Sequence, residues 1–217
     1  SMFENCFQLQ NVDVSKFDTR LVTSMQSMFS YCEEMTDLDL SNFNTKDVID
    51  MYGMFYNCKN LKNLDVHSFN TEEVRDMSYM FLNCRQLTRL NVDNFVTKYT
   101  KDMKSMFSNC AGLTSLELTK FDTSMVTDMS NMFGGCKELK SLDMSNFRTS
   151  LVKKMDNIFY ECDNLLSLDL SNFDLNNVQH SINIFNGLIN LVDLKLSNFN
   201  LSTISNISYL FNNLYSL

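Results

Sequence analysis

The chain has 217 residues, 44% of them hydrophobic, with 26 acidic against 18 basic side chains, a net charge of −8 and no proline. That balance offers no basic patch to displace counterions from phosphates, which argues against nucleic acid. No run of 18 apolar residues occurs to span a membrane as a helix, no signal peptide is visible, and the acidity is diffuse rather than gathered in a tail.

Cys6, Cys32, Cys58, Cys84, Cys110, Cys136 and Cys162 fall 26 residues apart without an insertion or deletion. A fixed period of this size marks a solenoid in which each repeat is one structural unit. The period predicts a single solenoid over 1–217, with eight full repeats starting near 2, 28, 54, 80, 106, 132, 158 and 184 and a partial ninth. Both ends fall inside a repeat, so the expectation is a piece of something longer, or ends covered by neighbours, because an uncapped solenoid exposes its core.

Each repeat opens on phenylalanine, in a column that includes Phe29, Phe55, Phe81, Phe107 and Phe133, and the cysteine follows three residues later. Next comes a leucine column (Leu61, Leu87, Leu113), then an alternating segment such as Leu38-Asp39-Leu40, the spacing of a strand with one buried face. A polar turn follows, as in Ser145-Asn146-Phe147-Arg148-Thr149. It carries the second aromatic column, including Phe43, Phe69, Phe95, Phe121 and Phe147. After the turn, Val126, Met129, Met132, Phe133 and Cys136 step by three, three, one and three, which predicts a short helix from about Met129 to Cys136. The piece from Val126 to Met129 reads equally as helix or extended chain. Of the residues before the Met129 column, six of eight (Ser24, Asp50, Asp76, Asp102, Asp128 and Asn206, but not Lys154 or His180) can cap a helix. The fold class that results is an α/β solenoid with one parallel strand and a short helical segment per 26-residue turn.

The string Met132-Phe133-Gly134-Gly135-Cys136-Lys137-Glu138-Leu139-Lys140-Ser141-Leu142-Asp143-Met144-Ser145-Asn146-Phe147, continued by Thr149, Val152 and Met155, resembles the BspA-like leucine-rich repeats. More narrowly it is similar to the 26-residue bacterial surface repeat of mycoplasma lipoproteins and some Gram-positive and protist surface proteins. The resemblance covers the whole chain. It implies a right-handed leucine-rich-repeat stack, a cell-surface location and a role in adhesion or host interaction. The chain departs from the commoner leucine-rich repeats by placing Phe147 where they carry Asn or Cys, with Asn146 one step earlier. In its last repeats Leu188 and Leu214 replace cysteine, and Leu175 and Leu201 replace threonine.

The cysteines are too far apart for zinc pairs, and leucine substitutes for them, so Cys32, Cys58, Cys84, Cys110 and Cys136 read as unpaired core side chains. The methionine columns read the same way, since Ile158, Ile184 and Leu210 take their place in later repeats. His67 and His180 stand more than four repeats apart, there is no glycine-rich phosphate loop or nucleophile elbow, and neither enzymatic chemistry nor a cofactor is expected. Two N-glycosylation acceptor patterns, Asn200-Leu201-Ser202 and Asn206-Ile207-Ser208, matter only in a glycosylating host. The one regular outward array is the strand position held by Asp13, Asp39, Asp65, Asn91, Glu117, Asp143, Asp169 and Lys195. Like charges about 5 Å apart repel, by about 1 kcal/mol per pair in bulk water. Either hydrogen bonds to Ser41, Asn42, Ser145 and Asn146 of adjacent turns offset that repulsion, or a basic partner or cations lie along the sheet. The flanking strand positions carry no aromatic cluster of the kind that anchors tight interfaces. The expected partner is therefore a protein or host surface ligand, bound on this face or at the open ends; the alternative is a spacer in a larger intracellular assembly.

Overall fold

The computed structural model describes residues 1–202, 204 and 206–217. Each 26-residue unit forms one rung, and rungs stack through their backbones. The N–H groups of Met103, Ser105, Phe107 and Asn109 donate to the carbonyls of Asp128, Ser130, Met132 and Gly134 at 3.1, 2.8, 2.9 and 2.7 Å. The amides between them turn back: Met106, Ser108 and Cys110 donate to Met103, Ser105 and Phe107, three residues earlier, at 3.2, 3.2 and 3.1 Å. The same alternation runs from Met25 in the second rung to Asn157 and Glu161 in the seventh.

This alternation corrects the helix expected from Met129 to Cys136. No helix occurs among the described residues. An α-helix sends every amide to a carbonyl four residues back in its own segment, whereas here alternate amides leave for the next rung. The tight turns also need a left-handed residue at their third position, as type II turns do. Ser105 (φ 54°) and Asn109 (φ 54°) fill these places in one rung, Asn131 (φ 58°) and Gly135 (φ 78°) in the next. A left-handed residue every four positions is incompatible with a right-handed helix. Consecutive tight turns place Met129, Met132, Phe133 and Cys136 inward by steps that imitate a helical face, and all four are buried. The six residues expected to cap a helix do accept backbone hydrogen bonds, from the amide two residues on: Asp50 from Tyr52, Asp76 from Ser78, Asp102 from Lys104, Asp128 from Ser130, Asn206 from Ser208, and Ser24 from Gln26. They close side-chain turns.

The strand expected in every repeat is present in only some. Strands β1 (Asp37–Leu38) and β2 (Asn63–Leu64) pair in parallel, Leu38 against Leu64, and β3 (Ser167–Asp169) pairs in parallel with β4 (Asp193–Lys195), Leu168 against Leu194. Between them Leu90, Leu116 and Leu142 are buried in the same column without a regular ladder. The more continuous parallel contact lies on the opposite side, where bridges join Ser24, Asp50, Asp76, Asp102, Asp128, Lys154 and His180 in succession.

Apolar columns fill the interior. The rings of Phe29, Phe55, Phe81, Phe107, Phe133 and Phe159 stack at 6.0, 5.6, 5.7, 5.9 and 6.0 Å, tilted by no more than 7°. Phe43, Phe69, Phe95, Phe121 and Phe147 are buried behind them. Three polar columns stitch the rungs, threonine and cysteine from within and asparagine at the surface. Buried Thr71 donates its hydroxyl to the Val96 carbonyl at 3.0 Å and accepts the Val96 amide at 2.8 Å, a two-way clamp that Thr19, Thr45 and Thr123 repeat. Cys58, Cys84, Cys110, Cys136 and Cys162 each donate the thiol to a phenylalanine carbonyl of the previous rung, at 3.1–3.2 Å. Asn42, Asn94 and Asn172 each donate a side-chain amide to three carbonyls of the preceding rung.

Two substitutions separate packing from stitching. Phe107→Ala removes an interior ring and is expected to cost about 3–5 kcal/mol in urea unfolding. Thr71→Val keeps the shape but strands the Val96 amide and carbonyl, for an expected cost of about 1–3 kcal/mol. An unchanged Thr71→Val midpoint would show that the hydroxyl clamp contributes nothing.

Candidate functional site

The strand-side stripe is exposed throughout: Asp13, Asp39, Asp65, Glu117, Asp143 and Asp169 all face solvent. Five of these carboxylates are held by their own rung. Asp13 accepts the Ser15 amide at 2.9 Å, Asp39 that of Ser41 at 2.9 Å, Asp65 that of His67 at 2.8 Å, Asp143 that of Ser145 at 2.9 Å and Asp169 that of Ser171 at 3.0 Å. Hydrogen bonds to the turns beside the strand are one of the two expected offsets, and the serines supply them: Ser41 and Ser145 donate to Asp39 and Asp143, because the amide two residues on is the nearest donor to an aspartate. Asn42 and Asn146 point away from the stripe and bind carbonyls of the preceding rung. The bonds from Ser41 hold the Asp39 carboxyl below its ordinary range, and the neighbouring Asp13 pushes it back up by less. Asp13, Asp143 and Asp169 are lowered for the same reason, by Ser15, Ser145 and Ser171. Asp169 also meets Lys195 at 3.5 Å. These acids are therefore ionised at neutral pH and preset in direction. Beside them lies an open trough of about 520 Å³ lined by Asp37, Asp39, Lys62, Asp65, Arg89 and Asn91.

A second surface feature, absent from the column reading, lies on the tight-turn face. Phe7 packs edge-on to Tyr31 at 6.0 Å, Tyr31 to Tyr56 at 4.9 Å, Tyr56 near Tyr79 at 6.4 Å and Tyr52 against Tyr79 at 5.3 Å. The Tyr31 and Tyr56 hydroxyls hydrogen-bond at 3.2 Å. The four tyrosines are half-exposed. Their spacings of 23 to 27 residues run diagonally between columns, so the one available signal was tyrosine recurring just off the repeat length.

The cysteines are unpaired, and all but Cys6 are buried. Burial pushes the Cys32 thiol up to about 11 and Cys136 to about 12, and raises Cys84, Cys110 and Cys162 well above the ordinary thiol range. His67 and His180 are exposed and far apart. Among the described residues no group of three or more His, Cys, Asp or Glu could hold a metal ion, and no helix is long and apolar enough to cross a membrane.

A family profile described as "Mycoplasma protein of unknown function, DUF285" matches residues 1–116 and 101–217. The chain belongs to that family. Solved structures similar to it include a leucine-rich-repeat protein of Leptospira interrogans (17% identity, 87% of this chain and 49% of that one, TM-score 0.39). Others are a leucine-rich cell surface protein of Faecalibacterium prausnitzii (15%, 95% and 78%, TM-score 0.33) and a leucine-rich-repeat protein of Bacteroides ovatus (17%, 99% and 73%, TM-score 0.37). The chain thus spans about half the length of the Leptospira protein. No curated protein matches it.

In the folded protein, a thiol reagent is expected to modify Cys6 rapidly and the six buried cysteines only at the rate of unfolding. Mass spectrometry of the labelled peptides reads this directly, and native labelling of Cys84 or Cys110 would contradict the burial and hydrogen bonding described.

Proposed function

We propose that this chain is a non-catalytic, surface-displayed repeat scaffold that engages a protein partner or host surface ligand through its strand-side carboxylates. The observation that carries the reading is the preset stripe: Asp13, Asp39, Asp65, Asp143 and Asp169 each tie one oxygen to an amide of their own turn, and all but Asp169, whose other oxygen meets Lys195, keep the second for a partner. Ionised groups fixed in register on a rigid stack lose little freedom on binding and favour a partner of opposite charge. Glu117 continues the stripe with a longer side chain, and the mixed Asp, Lys and Arg lining of the adjoining trough gives the face directionality. The BspA-like repeat supports display at the cell surface and a role in adhesion.

Changing Asp39, Asp65, Asp143 and Asp169 together to Asn separates the roles of the stripe. The recognition reading expects weaker partner binding with a flatter salt dependence, since fewer charges remain to be screened. Asparagine still accepts the turn amide, as Asn91 does from Asp93 at 3.0 Å, so the melting temperature should stay near that of the parent. Intact binding in the quadruple variant would end the recognition role of this face and move it to the tight-turn face or the ends.

A further inference from the structure

Beyond the stripe, the tight-turn face carries an aromatic surface with its own charge logic. Tyr31, Tyr56, Tyr52 and Tyr79 form one contiguous cluster over three rungs, flanked by the bridge column Asp50, Asp76, Asp102 and Asp128. Farther along, the chain supplies its own cations to this column. Lys154 lies 3.7 Å from Asp128, and the Lys104 ammonium sits 5.5 Å from the Tyr79 ring centre. Tyr79 contributes most to holding Lys104 protonated, with Asp128 and Asp102 adding to it. In the first rungs the pattern changes. Asp50 and Asp76 accept turn amides and a serine hydroxyl each, but among the described residues no Lys or Arg forms an ion pair with either. Tyr52 ties the two features together, donating its backbone amide to Asp50 and carrying its ring within electrostatic reach of Asp76.

We infer that this face, Tyr31, Tyr52, Tyr56 and Tyr79 with Asp50 and Asp76, docks a basic segment of a partner protein, whose Lys or Arg side chains take the place beside the tyrosines that Lys104 takes over Tyr79. A cation over a ring face with a carboxylate nearby is favourable on both counts, and tyrosine is enriched among residues that dominate interface energies. Ring geometry separates this partner from a sugar. Successive rings are inclined by 63°, 47° and 56°, so the cluster presents edges and faces in turn and no flat stacking platform. The inference rests on the protein-binding reading above but assigns a different face.

The test titrates the protein with a capped peptide of alternating arginine and serine and follows tyrosine fluorescence, which is unobscured because the chain has no tryptophan. Binding by the parent is expected. Tyr52→Ser/Tyr79→Ser installs the residues that neighbouring rungs carry as Ser78 and Ser105, so the fold should persist while affinity falls about two- to fivefold, the scale of one lost cation–π contact, since the Tyr79 ring already carries Lys104. Tyr56→Leu, which copies Leu82, is a second variant with loss expected in the same direction. Asp50→Asn/Asp76→Asn should flatten the salt dependence, and the quadruple stripe variant should bind this peptide like the parent. No binding by the parent, unchanged affinity in both tyrosine variants, or equal binding of a glutamate–serine peptide or a neutral oligosaccharide would overturn the inference. If only the stripe variant lost the peptide, this face would be excluded while the proposed function stood.

Discussion

Everything in this structure depends on where the backbone amides of the tight-turn segment find their acceptors. With no helix among the described residues and strands of at most three residues, a single rung cannot satisfy its own polar backbone, and a buried unpaired amide costs about as much as a lost hydrogen bond. Alternate amides therefore cross to the next rung. Once that offset is fixed, every side chain stands on its counterpart one repeat away, and the constancy of the 26-residue period follows. One inserted residue would shift every later donor off its acceptor. The polar core columns obey the same rule: Thr71 clamps Val96 and Cys84 caps the Phe55 carbonyl because both partners belong to neighbouring rungs.

Rigid rungs make the surface a set of columns, and chemistry on one column is repeated at a nearly constant interval. The strand-side aspartates Asp39, Asp143 and Asp169 are fixed in direction because each closes a turn of its own. The tight-turn side is less uniform. There the left-handed positions tolerate Asn and Gly most easily, yet Tyr31 (φ 60°) and Tyr79 (φ 60°) occupy them. A bulky side chain meets more steric resistance there than Asn57, Asn83 and Gly53, which fill the same columns in neighbouring rungs.

Much of the architecture was readable from the chain. The phenylalanine, cysteine and leucine columns needed only the period, because an interior position in a stack has the same neighbours in every rung. Helix in place of tight turns was a misreading with a physical origin: turns closed every three residues bury positions at nearly helical intervals, and Asp102 or Asp128 accepts an amide two residues on whether or not a helix follows. The left-handed columns offered a clue in Asn109, Asn131, Gly135 and Gly187, residues that suit positive φ and not a helix interior. For the cysteines, replacement by Leu188 correctly suggested packing but concealed the thiol donor, which only the position of the Phe55 or Phe81 carbonyl makes visible. The tyrosine cluster escaped because contacts between rungs run along diagonals, and its members occupy different columns.

The measurement closest to the central claim is scalar coupling across hydrogen bonds by NMR, which correlates an amide nitrogen with the carbonyl carbon that accepts its proton. In one interior rung the amides of Ser105, Phe107 and Asn109 should correlate with the carbonyls of Ser130, Met132 and Gly134, and those of Met106, Ser108 and Cys110 with carbonyls three residues earlier. Correlations from all of these amides to carbonyls four residues back would mean a helix in each repeat, and would contradict the stacking described.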